Sequence, residues 1–347
     1  MNAASPAHQS TQSVIQSPID ALAIERHLLS INFAAASSAV LDAALELNIV
    51  DQLSDEPRTA AEVADSAGWC LDGTRRLLRA LSHLKVVNAD HDRFYVTQPV
   101  AELLSQSSIN SMTGHLQAVY ANRDSWRDVA KAVRGGARTN RLGSLARRAE
   151  NVEFLMRGGR QLLNEARYLA SLTSRASGDA AVVLYSGGGE WALAQAEAGN
   201  ARTIYAVDHP AFLDRARALF DAHPTATRIE LVPCESEVQS HPAAASIVIL
   251  PPVLRFLDEL SMSAVIAAAI ANLGPDGELF VVDVLNQSAD ASSLHPMLDL
   301  SLLINTASGS IRDAQYYQQL IERGGGQLMK QYNAGMLTII RVQRGES

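Results

Sequence analysis

The chain has 347 residues, enough for two domains, and its 47% hydrophobic content is sufficient for a packed core. Its 29 basic and 37 acidic residues give a formal net charge of -8, which argues against a nucleic-acid partner because phosphate contacts need a positive field. Cys70 and Cys234 are too few for a disulfide framework or a cysteine metal site, so we expect a reducing, cytoplasmic setting.

The N-terminal part changes from a polar tail to apolar helices. Residues 1–18 are rich in Ser, Gln, Ala and Pro, which predicts disorder. From Ile19 apolar residues recur at helical spacing, which predicts two long helices, the second ending near Val50. The most apolar stretches, 247–257 and 264–271, are too short to cross a bilayer, so we expect no membrane partner.

Residues 19–110 are predicted to form a winged helix. Thr59 and Glu62 have the spacing of a capping box, and extended runs at 86–88 and 94–97 flank a polar turn. The third helix carries three arginines, Arg75, Arg76 and Arg79. They would contact phosphates in a DNA-binding regulator, whereas the alternative is a module that builds a dimer interface or covers the other domain. The acidic net charge and the apolar helices favour the second interpretation.

Residues 111–175 are predicted to form connecting helices that line a substrate pocket. The candidate substrate-binding residues in this segment are His115, Trp126 and Met156. Aromatic and methionine side chains at helical spacing are more often core residues, so both interpretations stay open.

From residue 176 onward strands and helices alternate, as in a doubly wound sheet. Gly187, Gly188 and Gly189 follow the first apolar run, where they let the backbone approach a ligand beside a helix start with free N–H groups. Asp208 ends the next apolar run, where an acid accepts ribose hydroxyls; alternatively it caps the following helix.

The last two strands, at 326–332 and 336–342, are joined by a short turn and predict a hairpin. Parallel strands that end in an antiparallel pair are the plan of a class I methyltransferase sheet. The sequence therefore predicts an α/β protein.

From about residue 20 the chain resembles the S-adenosylmethionine-dependent O-methyltransferases of the caffeate and hydroxyindole type. The matching segments lie at 43–51, 75–79, 187–189, 208–210, 258–259, 274–277 and 297–300. The resemblance implies a Rossmann-like methyltransferase sheet, parallel with a C-terminal antiparallel hairpin, after an N-terminal all-helical winged-helix domain.

The same resemblance implies a cofactor and partners. S-adenosylmethionine would be bound by residues 187–189, by Asp208, and by Glu235 on the adenine side. The substrate would be a small molecule, and the N-terminal domain would form a homodimer.

Several positions depart from the pattern of this family. Tyr185 stands where the family has an acid, and Trp191 replaces the last glycine of the loop. Pro251 or Pro252 stands where a basic residue would lie near the cofactor carboxylate. Arg255 lies nearest to the position of the general-base histidine, and an arginine stays protonated and cannot take a proton near neutral pH. The sequence therefore leaves open whether S-adenosylmethionine is bound.

The remaining catalytic candidates are Arg255 itself and two histidines, His295 and His115, which are proposed as replacement bases. His295 is alternatively a loop residue before a helix, and His115 a satisfied core histidine. Asp299 either orients an acceptor or pairs with a neighbour. No tight cluster of histidines and carboxylates predicts a metal site.

Three functions remain open from the sequence. The first is methyl transfer to a small-molecule acceptor, with O-methylation preferred. The second is a methyltransferase fold that has lost methyl transfer and serves another reaction or a noncatalytic partner role. A ligand-sensing regulator is the least favoured.

Overall fold

The structure is a computed structural model that describes residues 18–108, 110–135, 162–173, 178–241, 244–286 and 294–345. The N-terminal tail up to residue 17 and the candidate Met156 lie outside the described residues. The chain divides into two compact units, Met1–Val100 and Ala101–Ser347.

The first unit begins with helix α1, which spans Pro18–Glu46 and has 29 residues. Our prediction of two helices over this segment was wrong, because no glycine or proline interrupts residues 19–46. The chain turns at Asn48, which has a left-handed φ of 54° and precedes the short helix α2.

Helix α1 exposes six large apolar side chains along its length: Leu22, Ile24, Leu28, Leu29, Ile31 and Phe33. By length and composition alone it could cross a membrane, which the sequence prediction overlooked because alanine and serine dilute its apolar residues. A helix that packs against protein can satisfy the same criteria.

The other elements of the first unit build a small winged helix. They are α2 (Ile49–Gln52), β1 (Arg58–Thr59), α3 (Ala60–Ala67), α4 (Leu71–His83), β2 (Asn88–Asp90) and β3 (Arg93–Tyr95). The strands pair in the order β1-β3-β2, so β1 adds a third strand to the predicted ribbon. The capping box is confirmed, since Glu62 N donates to Thr59 Oγ1 (3.2 Å) and Thr59 N donates to Glu62 Oε2 (2.7 Å).

The second unit contains the large sheet and the helices around it. Helix α5 (Gln98–Leu104) leads into it, followed by α6 (Thr113–Ala121), a 3-10 turn (Arg123–Asp128), α7 (Val129–Gly135), α8 (Leu163–Thr173), β4 (Gly178–Leu184), α9 (Glu190–Ala198), β5 (Ala201–Asp208), α10 (Pro210–Asp221), a 3-10 turn (Pro224–Arg228), β6 (Ile229–Pro233), β7 (Ala245–Leu250), a 3-10 turn (Leu254–Phe256), α11 (Glu259–Ala271), β8 (Leu273–Asp283), α12 (His295–Asn305), α13 (Ala314–Arg323), β9 (Gly326–Ala334) and β10 (Leu337–Arg344).

The seven strands of this sheet run in the order β6-β5-β4-β7-β8-β10-β9. The pairs from β6 to β8 are parallel, while β10 is antiparallel to both β8 and β9. Successive residues of β4 enter opposite hydrophobic clusters: Val183 packs on one face of the sheet and Val182 on the other. The strand order reverses between β4 and β7, and ligands of open α/β sheets bind at the carboxyl ends beside such a reversal.

Candidate active site at the carboxyl ends of the parallel strands

The glycine loop after β4 is shaped by backbone conformation and by close packing. Gly187 and Gly189 have φ angles of 60° and 90°, in the region that favours glycine. A Cβ added at Gly189 would lie 2.4 Å from the ring of Phe220 on α10. A Cβ at Gly188 would lie 2.5 Å from Oε1 of Glu190, whose side chain is buried at the start of α9. Internal packing alone therefore requires part of this glycine run.

Asp208 lies at the end of β5 and is fully buried. Its Oδ2 accepts a hydrogen bond from Gly187 N (2.8 Å), and its Oδ1 accepts from His209 N (2.7 Å) and from Gln239 Nε2 (3.3 Å). The N-cap of α10 is His209, whose Nδ1 accepts from Ala211 N, so Asp208 is not the capping side chain. Asp208 instead ties the glycine loop to the neighbouring strand.

Tyr185 is joined to the segment after β6. Its backbone N donates to Gln239 Oε1 (2.6 Å), and its hydroxyl donates to the carbonyl oxygen of Glu237 (2.7 Å). Gln239 is itself buried, so it bridges Tyr185 and Asp208 inside the protein. The sequence prediction missed Gln239, because a polar residue in an irregular loop gives no periodic signal.

The residues at this edge can be tested against an adenosyl ligand. A carboxylate offers several acceptor positions, and those of Asp208 bind Gly187 N, His209 N and Gln239 Nε2. The contact from Gln239 is the longest, so a ribose hydroxyl could take its place. Glu235 is exposed just beyond the end of β6. The site thus fits the ribose part of the cofactor once Gln239 moves.

Two residues that depart from the family pattern in sequence, Trp191 and Pro251, are both buried. Trp191 is only 3% exposed and belongs to the hydrophobic cluster on one face of the sheet. Pro251 is buried directly after β7. Neither residue can offer a cation to a cofactor carboxylate.

Arg255, in the 3-10 turn after β7, pairs with Asp283 at the end of β8. Its backbone N donates to Asp283 Oδ2 and its Nη1 donates to Oδ1, both at 2.9 Å. Asp283 is fully buried and also accepts from the hydroxyl of Tyr317 (2.9 Å). Burial, with the nearby carboxylate, raises the pKa of Tyr317 well above its usual value, so this hydroxyl stays protonated. Arg255 and Asp283 form a buried ion pair that joins two strand ends.

The loop before α13 connects Arg255 with another predicted residue. Ser310 N donates to the carbonyl oxygen of Arg255 (3.0 Å), and the next residue, Ile311, donates from its N to Asp299 Oδ1 (2.6 Å). Asp299 therefore binds a neighbouring backbone group, which is one of its two predicted roles. The same loop contributes Arg312 to a cleft of about 440 Å3.

His115 on α6 lies within electrostatic reach of Arg255. Burial lowers the pKa of its imidazole below the ordinary 6.5, and the positive charge of Arg255 lowers it further. A histidine in this state is neutral at neutral pH and can accept a proton. The structure thus brings together two candidates that lie far apart in the sequence.

The remaining candidates lie on adjoining elements. His295 is the first residue of α12, and the 3-10 turn that carries Trp126 packs against this helix. The Trp126 side chain is 38% exposed. Within the described ranges, no three histidine, cysteine or carboxylate side chains are close enough to hold a metal ion.

Comparison with known proteins gives the class to which this architecture belongs. Residues 29–107 match the family described as the O-methyltransferase dimerisation domain. The mitomycin 7-O-methyltransferase structure covers 95% of this chain and 100% of its own, with a TM-score of 0.76 at 23% identity. Human N-acetylserotonin methyltransferase, solved in complex with S-adenosylmethionine, has a TM-score of 0.77 at 20% identity and covers 96% of this chain and 100% of its own. The fold is that of the class I O-methyltransferases.

Two proteins of known activity are similar over most of their length. The mitomycin biosynthesis 6-O-methyltransferase of Streptomyces lavendulae is 24% identical over 89% of this chain and 92% of its own. The 3-amino-4-hydroxybenzoate 4-O-methyltransferase of Streptomyces cremeus is 26% identical over 82% of this chain and 80% of its own. By dimerisation domain, relatives and fold, the chain is similar to the class I S-adenosylmethionine-dependent O-methyltransferases.

Proposed function

We propose that this protein transfers a methyl group from S-adenosylmethionine to an oxygen atom of a small molecule, in secondary metabolism. The observation that carries the proposal is the buried Asp208 carboxylate, which lies against Gly187 of the glycine loop at the strand-order reversal. The names of both relatives describe O-methyltransferases, one of them acting on a hydroxybenzoate. That compound carries a carboxylate as well as a hydroxyl group.

Asp208 and the glycine loop would hold the ribose part of the cofactor, which when bound supplies an electrophilic methyl group. The work of the protein is then chiefly to align the acceptor oxygen with that methyl group, because proximity and orientation carry much of the rate. Arg255 cannot take the proton of the acceptor. His115 can, since burial and Arg255 keep its imidazole neutral.

We also propose that the active form is a homodimer through the N-terminal domain. The dimerisation-domain match spans residues 29–107 and includes part of the exposed apolar face of α1. Burying that face against a second copy would remove apolar surface from water. A monomeric mass in solution at micromolar concentration would refute this assembly.

The second candidate function is a methyltransferase fold that no longer transfers methyl groups. The specific observation in its favour is the bridge from Tyr185 through Gln239 to Asp208, which leaves the Asp208 carboxylate without exposed surface. If this bridge never opens, no ribose can reach the carboxylate.

Isothermal titration with S-adenosylmethionine and with S-adenosylhomocysteine separates the two candidates. We expect binding of both, and a loss of about 10-fold or more in the Asp208→Asn variant, because a hydrogen bond to a charged group contributes about 1.5–3 kcal/mol. Circular dichroism of the variant checks that it folds. Absence of heat at millimolar cofactor with the folded wild-type protein would reject methyl transfer and leave the second candidate.

A further inference from the structure

The Arg255 guanidinium is only partly used by Asp283. Nη1 donates to that carboxylate, whereas Nε is buried and has no hydrogen-bond partner, and Nη2 makes no hydrogen bond to a described residue. A buried donor without a partner is unfavourable by about 1–3 kcal/mol, and more when it is charged. The edge formed by Nε and Nη2 therefore lacks a hydrogen-bond acceptor among the described residues.

That edge has a defined chemical complement. The Nε and Nη2 hydrogens of a guanidinium point in nearly the same direction and match the two oxygens of a carboxylate. The Arg255 side chain is 17% exposed while its Nε atom is buried, so a carboxylate bound at this edge would form a shielded, charge-assisted pair. A lysine at this position would offer a point charge without this geometry.

The surrounding charges also favour an anion. Arg312 lies nearby and donates to two backbone carbonyls, those of Ser310 (2.9 Å) and Leu257 (3.2 Å), instead of to a carboxylate. The Asp283 carboxylate is buried here and pairs with the guanidinium of Arg255. Asp258 and Asp313 are exposed and cap the starts of α11 and α13. Two guanidinium groups, those of Arg255 and Arg312, and one buried carboxylate therefore lie at this edge, with the exposed Asp258 within electrostatic reach of Arg312.

We propose that the free edge of Arg255 binds a carboxylate carried by the acceptor, so that the substrate class is small aromatic or enolic acids. This inference rests on the proposed methyl transfer, and it makes Arg255 a specificity-determining residue. His115 lies within electrostatic reach of Arg255, so the bound acid would sit near a neutral imidazole.

The test compares benzoate and 4-hydroxybenzoate with their neutral amides, by titration calorimetry on the full-length protein saturated with S-adenosylhomocysteine and on the free protein. We expect the wild type to bind each acid at least about 10-fold more tightly than its amide. Arg255→Lys keeps a cation beside Asp283 and should lose most of this preference. The matched control is Arg323→Lys, which changes an exposed arginine paired with Glu259 and should keep the preference.

Two results would overturn the inference. One is a wild type that binds neither acid at millimolar concentration or does not distinguish acid from amide, and the other is a folded Arg255→Lys variant with unchanged preference. Failure of the proposed methyl transfer would give a different result from failure of this inference. If S-adenosylhomocysteine does not bind while the preference for acids persists, methyl transfer fails and the carboxylate site stands.

Discussion

Two buried aspartates at the same edge of the sheet differ in the donors that surround them. Asp208 at the end of β5 accepts from two backbone N–H groups and from the amide of Gln239, all of which are neutral donors. Asp283 at the end of β8 accepts from the guanidinium of Arg255 as well as from Tyr317. These donors to the first carboxylate are neutral, whereas the second carboxylate is paired with a guanidinium.

The Asp208 carboxylate is suited to binding a ligand, whereas the Asp283 carboxylate has a structural role. A ligand hydroxyl can replace a neutral amide donor with little change in electrostatics, so Asp208 can exchange Gln239 for a ligand. Exchanging the partner of Asp283 would separate a buried ion pair, which is strongly unfavourable. At the β8 edge the ligand-binding capacity therefore lies with Arg255.

The largest expected effect comes from breaking the ion pair. Arg255→Met should lower the free energy of unfolding by about 3–5 kcal/mol, because it leaves the Asp283 carboxylate buried without a cation. Urea denaturation measures this loss. The matched Arg323→Met variant removes an exposed ion pair and should lose no more than about 1 kcal/mol. Equal losses of unfolding free energy in the two variants would show that burial of the Arg255–Asp283 pair does not increase its contribution to stability.

A smaller loss is expected from Gly189→Ala at the other edge. The new Cβ would lie 2.4 Å from the Phe220 ring at a φ of 90°, so the free energy of unfolding should fall by about 1–3 kcal/mol. Gly188→Ala is the control, because the added Cβ meets the flexible end of Glu190. Thermal unfolding of the two variants compares them. If Gly189→Ala is as stable as the wild type, packing is not what requires this glycine.

Removing Gln239 should affect the ligand more than the fold. Gln239→Ala frees one acceptor position on Asp208, so we expect cofactor affinity to rise about 3–10-fold, corresponding to one net hydrogen bond. Calorimetry with S-adenosylhomocysteine measures it. Trp191→Gly is a poorer probe, because removing this buried indole would cost about 3–5 kcal/mol of stability. Unchanged affinity in Gln239→Ala would mean that the bridge does not obstruct the site.

The smallest effect concerns pH. Because the pKa of His115 is lowered from 6.5, its imidazole should remain an available base somewhat below that pH. The acidic limb of kcat/KM should then lie below pH 6.5 and disappear in His115→Gln. The folded protein binds this proton less readily than the unfolded chain, so the associated stability is complete above pH 6.5 and is lost as the pH falls through the lowered pKa. A limb that persists in the variant would assign it to another group.

The sequence predicted elements well where local signals were strong. The capping box of Thr59 and Glu62 and the C-terminal hairpin of β9 and β10 are both present, because each depends on residues that are close together in the sequence. The division of α1 was wrong, since a change in apolar spacing does not break a helix that lacks Gly and Pro.

The site was predictable only in part. Asp208 and the glycine loop have a local motif, which places them at adjacent strand ends. The contact from Gln239 to Asp208 spans 31 positions, and the pair of Arg255 with Asp283 spans 28. Both contacts depend on which strands become neighbours in the sheet. Local sequence patterns do not determine the strand order, so they do not predict these contacts. The predicted roles of His295, Trp126 and Glu235 stay predictions.

A homodimer through the exposed face of α1 would make the stability of this protein depend on its concentration. A 29-residue helix with six large apolar side chains in water gains most from a partner, and mass action then links folding to association. The melting temperature should rise with protein concentration and fall on dilution. Newly synthesised monomers would expose this apolar surface until they dimerise, and non-specific aggregation would compete with dimerisation during that time.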